Sequence, residues 1–362
     1  HTPAEGIPGA ARHDFWGVLS FDAVAKVAAD FGTFSSVTTD EGPRIVPLQS
    51  DPPEHGRFRR ILDRYFQPRA VAQLEAELLP FCEEMVEAMV AGRRADYIPE
   101  FAAPFPTRAL CRFLDLDDGD WPRHLRWVTA IGLATGDGLA DDSIVISAPL
   151  AEAMMPYLRD VVKARRRAPG DDIVTGRADL EIEGRPLDGD DVCHLLATFM
   201  LGGHILPSSA IGSFTLRLAA DRDLQDFLRA NPGRIPDAVE ESLRIDTPFQ
   251  AMPRRCLHDT EVAGQRIEGG ERVLLNFGSA NVDPAHWEQP ERFDLDRPDK
   301  RHLAFGRGPH ACMAAAMARM EVRLAAETLL AGTSSFELAG DVRRRAWPRL
   351  AVVELPLVLR AP

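Results

Sequence analysis

The chain has no excess of basic charge: 42 Lys and Arg stand against 55 Asp and Glu, a formal net charge of −13. Binding a phosphate backbone needs a basic field, so nucleic acid is excluded as a general partner. The five cysteines, Cys82, Cys111, Cys193, Cys256 and Cys312, show neither paired nor zinc-like spacing. No disulfide framework follows, and reduced thiols fit a cytoplasmic location. His1 to His13 hold no apolar run, so the sequence as given is expected to carry neither a signal peptide nor a membrane anchor. No repeat, low-complexity tract, Ser/Gly linker or charge block divides the 362 residues. A single domain spanning residues 1–362 is expected, with a core large enough to enclose a cofactor.

What is present is mostly helical periodicity. Phe21 to Phe31 reads as a short helix, and Asp51 to Phe66 as a second, opened by Asp51 with prolines in its first turn. In the second, His55, Arg59, Leu62 and Phe66 share one face, which should look inward. Arg57, Arg60 and Arg64 then point out, and Arg57, Arg59, Arg60, Arg64 and Arg69 together form a basic cluster that is either a solvated helix face or a docking patch. Further helices are expected at Ala70 to Val90, Phe101 to Leu114 and Ala148 to Arg166. Between the last two, Ala130 to Ile146 is Gly- and Asp-rich, either a mobile connection over an entrance or an ordinary surface loop. Gly189 to Leu218 reads as one long apolar helix interrupted by Gly202, Gly203 and Pro207, which should weaken and kink it. Arg254 to Val273 has strand-and-turn character, and Ser335 to Leu359 alternates like a hairpin. The fold class is therefore mainly α with small β-sheets.

The densest signal is Phe305-Gly306-Arg307-Gly308-Pro309-His310-Ala311-Cys312, followed by a helical stretch from Met313 to Leu330 that Gly332 closes. A lone cysteine beside a helix is most often an inert small hydrophobe. Here the helix amides favour an anion, so Cys312 is expected as a thiolate able to ligate a soft metal centre. Gly306 and Gly308 permit backbone that lets amides turn toward the sulfur and pass close under a flat cofactor. Pro309 has no N–H, so the donors should be the residues after Cys312, or His310.

Phe-Gly-x-Gly-x-His-x-Cys resembles the cysteine-loop signature of the cytochrome P450 superfamily, in its soluble bacterial type. Other landmarks follow in the family's order. Asp51-Pro52-Pro53-Glu54-His55 with Arg59 resembles the start of the C helix, and Glu241-Ser242-Leu243-Arg244 the Glu-x-x-Arg of the K helix. Ala280-Asn281-Val282-Asp283-Pro284 and Pro290-Glu291-Arg292-Phe293 resemble the meander. The resemblance runs from about Trp16 to the C-terminus, and next to its relatives the chain begins late.

It implies a haem-thiolate oxidoreductase carrying haem b (iron protoporphyrin IX), with Cys312 as iron ligand. His55, Arg59, Arg254, Phe305 and His310 are implied as cofactor contacts, since buried propionates need cations. Glu241, Arg244 and Arg292 are implied as a structural ion network. Thr198, Leu201, Phe249, Gln250, Ala251, Val352 and Val353 are implied as pocket residues, an apolar set with one amide that suits a mid-sized organic molecule. The implied partners are that small substrate and a ferredoxin or flavodoxin at the arginine-rich face, with no nucleic acid and no membrane.

The long helix departs from the family. Where most members carry an acid-alcohol pair after Ala/Gly-Gly-x, this chain reads Gly202-Gly203-His204-Ile205-Leu206-Pro207. Ile205 and Leu206 carry no exchangeable proton, so the usual proton relay is absent. Gly202, Gly203, His204, Leu206 and Ser208 are the candidate catalytic positions, with Ser209 a second alcohol for a rebuilt relay. His204 is either a base or a residue that accompanies intact relays elsewhere without acting in them. Ordinary hydroxylation and an atypical reaction (peroxide-driven oxidation, oxidative coupling, rearrangement or nitrogen-oxide chemistry) both stay open.

Overall fold

The computed structural model describes residues 15–38, 46–134, 148–168, 181–182, 185–186, 189–345 and 349–362. The side chains at 61, 130–134, 148–153, 181–182, 185–186, 190 and 201 lie outside that description. So does most of the Gly- and Asp-rich connection between Ala130 and Ile146.

Helices carry the architecture, in the order α1 (Phe21–Ala29), α2 (Glu54–Leu62), α3 (Pro68–Gly92), α4 (Pro104–Phe113), α5 (Trp121–Ala134), α6 (Ala148–Arg167), α7 (Gly189–Ala220), α8 (Arg222–Ala230), α9 (Ile235–Ile245), α10 (Phe277–Ala280) and α11 (Ala315–Ala331). Proline sits in the first turn of α3, α4 and α9, where its missing N–H costs nothing. On α2 the inner residues His55 and Leu62 are buried while Arg60 is exposed, so the face expected to look inward does so.

The strands are small. β1 (Phe15–Val18), β9 (Arg272–Asn276), β6 (Ala251–Cys256) and β2 (Phe34–Ser35) form one sheet in that order. Only β1 and β9 pair in parallel there. Near the end of the chain β10 (Ser335–Leu338) and β13 (Pro356–Arg360) pair antiparallel, with β3 (Arg94–Asp96) on the other side of β13. Inside that hairpin β11 (Arg343–Arg345) pairs with β12 (Ala351–Glu354).

The central element is α7, apolar along its length because other elements surround it. Residues Asp191–Ala220 are long and apolar enough to cross a membrane by length and composition. In this fold that stretch packs against α4, α6, α11 and β12 instead. Helix assignment continues without a break through Gly202, Gly203 and Pro207, so the expected weakening does not interrupt α7. Neighbouring elements supply the packing that offsets proline's lost hydrogen bond.

Candidate functional site

The cysteine loop is held from three directions. Gly306 and Gly308 have φ of 68° and 74°, in the left-handed region. A Cβ on Gly308 would meet the backbone of Ala28 and Ala29 at 2.7 Å, so the loop presses on the end of α1 where no side chain fits. The Cys312 amide donates to the Phe305 carbonyl at 2.8 Å and closes the turn. From α2, Arg59 donates to the Ala311 carbonyl at 2.6 Å, and the Arg319 guanidinium lies 4.4 Å from the Phe305 ring centre.

The sulfur's amide donor is Ala314, a residue after Cys312 as expected. Two expectations change. The helix begins at Ala315 rather than Met313, so Cys312 lies ahead of its first turn. The thiol pKa is raised, because burial outweighs the Ala314 amide and the charges of Arg59 and Arg319. The chain alone therefore favours the thiol, and deprotonation falls to a coordinated cation. Although dehydrated by surrounding protein, Cys312 keeps accessible surface. A group with both properties faces an interior space rather than bulk water.

Around that sulfur the fold gathers two imidazole rings and two arginines. The His55 and His310 rings lie 4.1 Å apart. His310 is pushed down to about 3, by burial first and then by the neighbouring His55, Arg254 and Arg59, against a bond to the Ser50 backbone. Its Nε2 is buried with no partner. Arg254 is buried and pushed down to about 10 by that burial. Its guanidinium bonds the Pro253 carbonyl at 2.8 Å, and among the described residues no carboxylate lies within ion-pair distance of it. Arg59 pairs with Asp63 at 3.3 Å, whereas Arg254 has only the electrostatic influence of Asp51; this buried guanidinium and the two imidazole rings form a site that a polyanionic ligand would complete.

Behind the loop lies the opposite case. Glu241 takes a bidentate pair from Arg244 (2.8 and 2.9 Å), a bond from Arg297 (3.0 Å) and one from the Asp294 amide (3.1 Å). Burial works to raise its pKa, and these donors overturn that and hold it below the carboxylate range. Arg292 was the expected third member, and the structure corrects this to Arg297. The Arg292 side chain stays at the surface with Gln289, and only its carbonyl joins, accepting from Arg297 at 2.9 Å. Arg297 is drawn inward because Trp287 offers a ring face at 5.8 Å and the Glu288 carbonyl accepts at 2.8 Å. Asn281 ties this network to the loop: its carbonyl accepts from Arg244 (2.7 Å) and its Oδ1 from the Leu303 amide (2.6 Å).

On α7 the candidate positions separate by face. A Cβ at Gly202 would meet nothing within 4 Å, so that face is open, whereas one at Gly203 would meet Leu110 of α4 at 3.0 Å. At 100° per residue, Thr198, Ile205, Leu206 and Ser209 fall near Gly202, while His204 and Ser208 fall on the other side. His204 is buried there, 2.7 Å from Thr107 of α4. Thr107 directs its proton to the Ala103 carbonyl at 2.9 Å, which assigns the shared proton to His204 Nδ1. Burial, then the Arg349 charge, push His204 down to about 3, so it is neutral. His204 and Ser208 are thus not brought to the open face. Ser209 is, but its hydroxyl donates to the Ile205 carbonyl at 2.8 Å.

The remaining pocket candidates also divide. Thr198 turns its hydroxyl to the His194 carbonyl (2.9 Å). Phe249 is half-buried and bridged to Arg349, while Ala251 and Val352 are buried, Val352 against Gly212 of α7, and Val353 is half-buried. Gln250 does not supply the expected pocket amide: its Nε2 bonds the Thr247 carbonyl at 2.5 Å and its side chain packs over Gly278. The Leu201 side chain lies outside the described residues.

A cytochrome P450 family model matches residues 157–341. Mycinamicin IV hydroxylase/epoxidase of Micromonospora griseorubida is 31% identical over 95% of this chain and 88% of its own length. Linalool 8-monooxygenase of Pseudomonas putida is 29% identical over 91% and 86%. The crystal structure of a post-tailoring hydroxylase involved in himastatin biosynthesis superposes with a TM-score of 0.87 at 28% identity, covering 100% of this chain and 95% of that one. This chain belongs to the cytochrome P450 family. It is a P450 oxidoreductase of the monooxygenase kind with the mainly helical P450 fold, and the family implies haem b.

The residues present fit that group. A P450 haem brings four nitrogen donors and needs one axial sulfur, and among the described residues no three metal-ligating side chains come together to compete with Cys312. It also brings two carboxylates, which Arg254 and Arg59 would meet with charge and the His55 and His310 rings with hydrogen bonds, His310 Nε2 having no partner among the described residues. Reading the sequence missed Arg297, Asn281, Thr107 and Arg349. Arg297 lies five residues past the arginine chosen, and the tertiary positions of Trp287 and of the accepting carbonyls distinguish the two.

Proposed function

We propose that this P450 is a haem-thiolate monooxygenase of a mid-sized organic substrate from specialised metabolism. It takes electrons from a ferredoxin or flavodoxin docking on the face of Arg57, Arg60, Arg64 and Arg69, and works as one domain in the cytoplasm. The observation that carries this is Cys312: the one accessible cysteine sulfur, with an amide donor, two arginines and two imidazole rings gathered beside it. The tailoring hydroxylases among its relatives support the substrate class.

In this reading Cys312 would ligate the iron, and His55, Arg59, Arg254 and His310 would hold the propionates. When bound, the haem supplies oxidising chemistry made stronger by its thiolate. Glu241, Arg244, Arg297 and Asn281 fix the loop that presents the sulfur. The open face of α7 shapes the substrate side with Thr198, Gly202, Ile205 and Leu206, none of which carries an acid. Protons for oxygen activation would then come through water or the substrate, with Ser209 as the nearest hydroxyl on that face.

A second reading follows from Ile205 and Leu206: a P450 reaction that bypasses the relay, such as peroxide-driven oxidation, coupling, rearrangement or nitrogen-oxide chemistry. Turnover of the purified holoenzyme separates the two. With reductase partners, NAD(P)H and dioxygen, the first reading expects oxygenated product at yields close to the NAD(P)H consumed. Product formed only with peroxide, or none alongside rapid NAD(P)H loss, would favour the second.

A further inference from the structure

Arg349 is a cation that the haem reading leaves unused. Its backbone bridges antiparallel to Phe249, and the next amide, Leu350, donates to the Pro248 carbonyl at 3.0 Å. Further along the same segment, Val352 lies 3.5 Å from where a Cβ on Gly212 of α7 would stand. The segment is therefore pinned between α7 and the connector from α9 to β6. The first of these presents the open face at Gly202, and the second leads to Arg254.

Among the described residues no carboxylate lies within ion-pair distance of Arg349, and its guanidinium makes no hydrogen bond. Its nearest charged influence is Arg345, of the same sign, and burial ahead of that charge pushes it down to about 10. The Arg349 charge is felt on α7, where it helps hold His204 neutral. The side chain is only half-buried, and none of its nitrogens is both enclosed and unpartnered. It is dehydrated by protein yet keeps accessible surface, on the segment laid between α7 and Phe249.

A dehydrated guanidinium without an anion is costly to maintain and is most economically explained as a receptor whose anion arrives with a ligand. The haem carboxylates are already matched by His55, Arg59, Arg254 and His310. We propose that Arg349 receives a carboxylate on the substrate, so that this P450 acts on an organic acid. The planar guanidinium fork matches a carboxylate in two parallel hydrogen bonds, which a neutral amide or ester cannot reproduce. This inference rests on the haem-thiolate reading above.

The test uses the holoenzyme and probes anchored on the iron, so the natural substrate need not be known. A series of ω-(imidazol-1-yl)alkanoates of increasing chain length is titrated spectroscopically beside the matching amides and plain 1-alkylimidazoles. At the length that spans the cavity, the acid is expected to bind about tenfold or more tightly than the amide, the size of one charge-assisted interaction. In Arg349→Met that preference disappears, and Arg349→Lys recovers part of it, while 1-alkylimidazole affinity stays within about twofold in both. Equal affinity for acid and amide at every length, or a preference unchanged in Arg349→Met, overturns the proposal. Failure of plain 1-alkylimidazoles to shift the Soret band would instead overturn the haem reading on which it stands.

Discussion

Glu241 and Arg349 are both charged groups drawn out of bulk water, and the chain treats them oppositely. On the cysteine side Glu241 meets two guanidinium groups and a backbone amide, so the network is complete without any ligand. On the α7 side Arg349 meets no anion among the described residues, His204 is neutral, and the relay positions hold Ile205 and Leu206. A side whose polar groups pair with each other is fixed by folding. A side whose charge has no partner is completed by what binds. The first presents the sulfur, and the second selects the substrate.

The comparison breaks most severely at Glu241. Glu241→Ala strands two arginines, a loss of about 3–5 kcal/mol for a buried pair. Purified protein is expected to contain little or no haem by pyridine haemochrome assay. Arg297→Ala should follow it.

On the other side, Leu206→Thr places a hydroxyl on the open face where none donates. If protons limit an oxygen-dependent reaction, product formed per NAD(P)H should rise about twofold or more. An unchanged ratio would point to chemistry that needs no relay.

Glu321 on α11 sharpens the contrast within the core. It is fully buried with neither oxygen partnered among the described residues, and that burial raises its pKa well above the ordinary value. Above about pH 4.5 the unfolded chain releases this proton while the folded chain retains it, so Glu321 costs stability as pH rises, by at most about 1.4 kcal/mol per pH unit. Glu321→Gln removes that slope. Its melting temperature relative to the parent protein should climb between pH 5 and pH 8, and a pH-independent difference would show that water or a neighbour satisfies the acid.

The smallest effect is expected at Arg292, whose side chain stays at the surface. Arg292→Ala should keep full haem content and change stability by about 0.5 kcal/mol or less. A loss matching Arg297→Ala would reinstate Arg292 in the network.

The cysteine side was largely legible in the sequence because its chemistry is written in short motifs. Phe305 to Cys312, Glu241 with Arg244, and His55 with Arg59 each place partners within a turn or a loop. Periodicity also found the inward face of α2 and the extent of α7. What stayed illegible depends on distant chain. Which arginine joins Glu241 is decided by Trp287 and two carbonyls, Gln250 turns away because Gly278 leaves room for it, and His204 is claimed by Thr107. Arg349 acquires meaning only when the C-terminal hairpin is laid beside Phe249. The helix-terminus argument for the thiolate is incomplete for a related reason: it omits the dehydration that folding imposes on the sulfur, which raises its pKa in the chain alone.

The most direct test of the central claim is the ferrous-carbonyl spectrum of the purified protein beside that of Cys312→His. The account predicts the red-shifted Soret band of thiolate ligation in the parent protein and its loss in the variant. A parent spectrum without that band, or a variant that retains it, would contradict Cys312 as the iron's ligand.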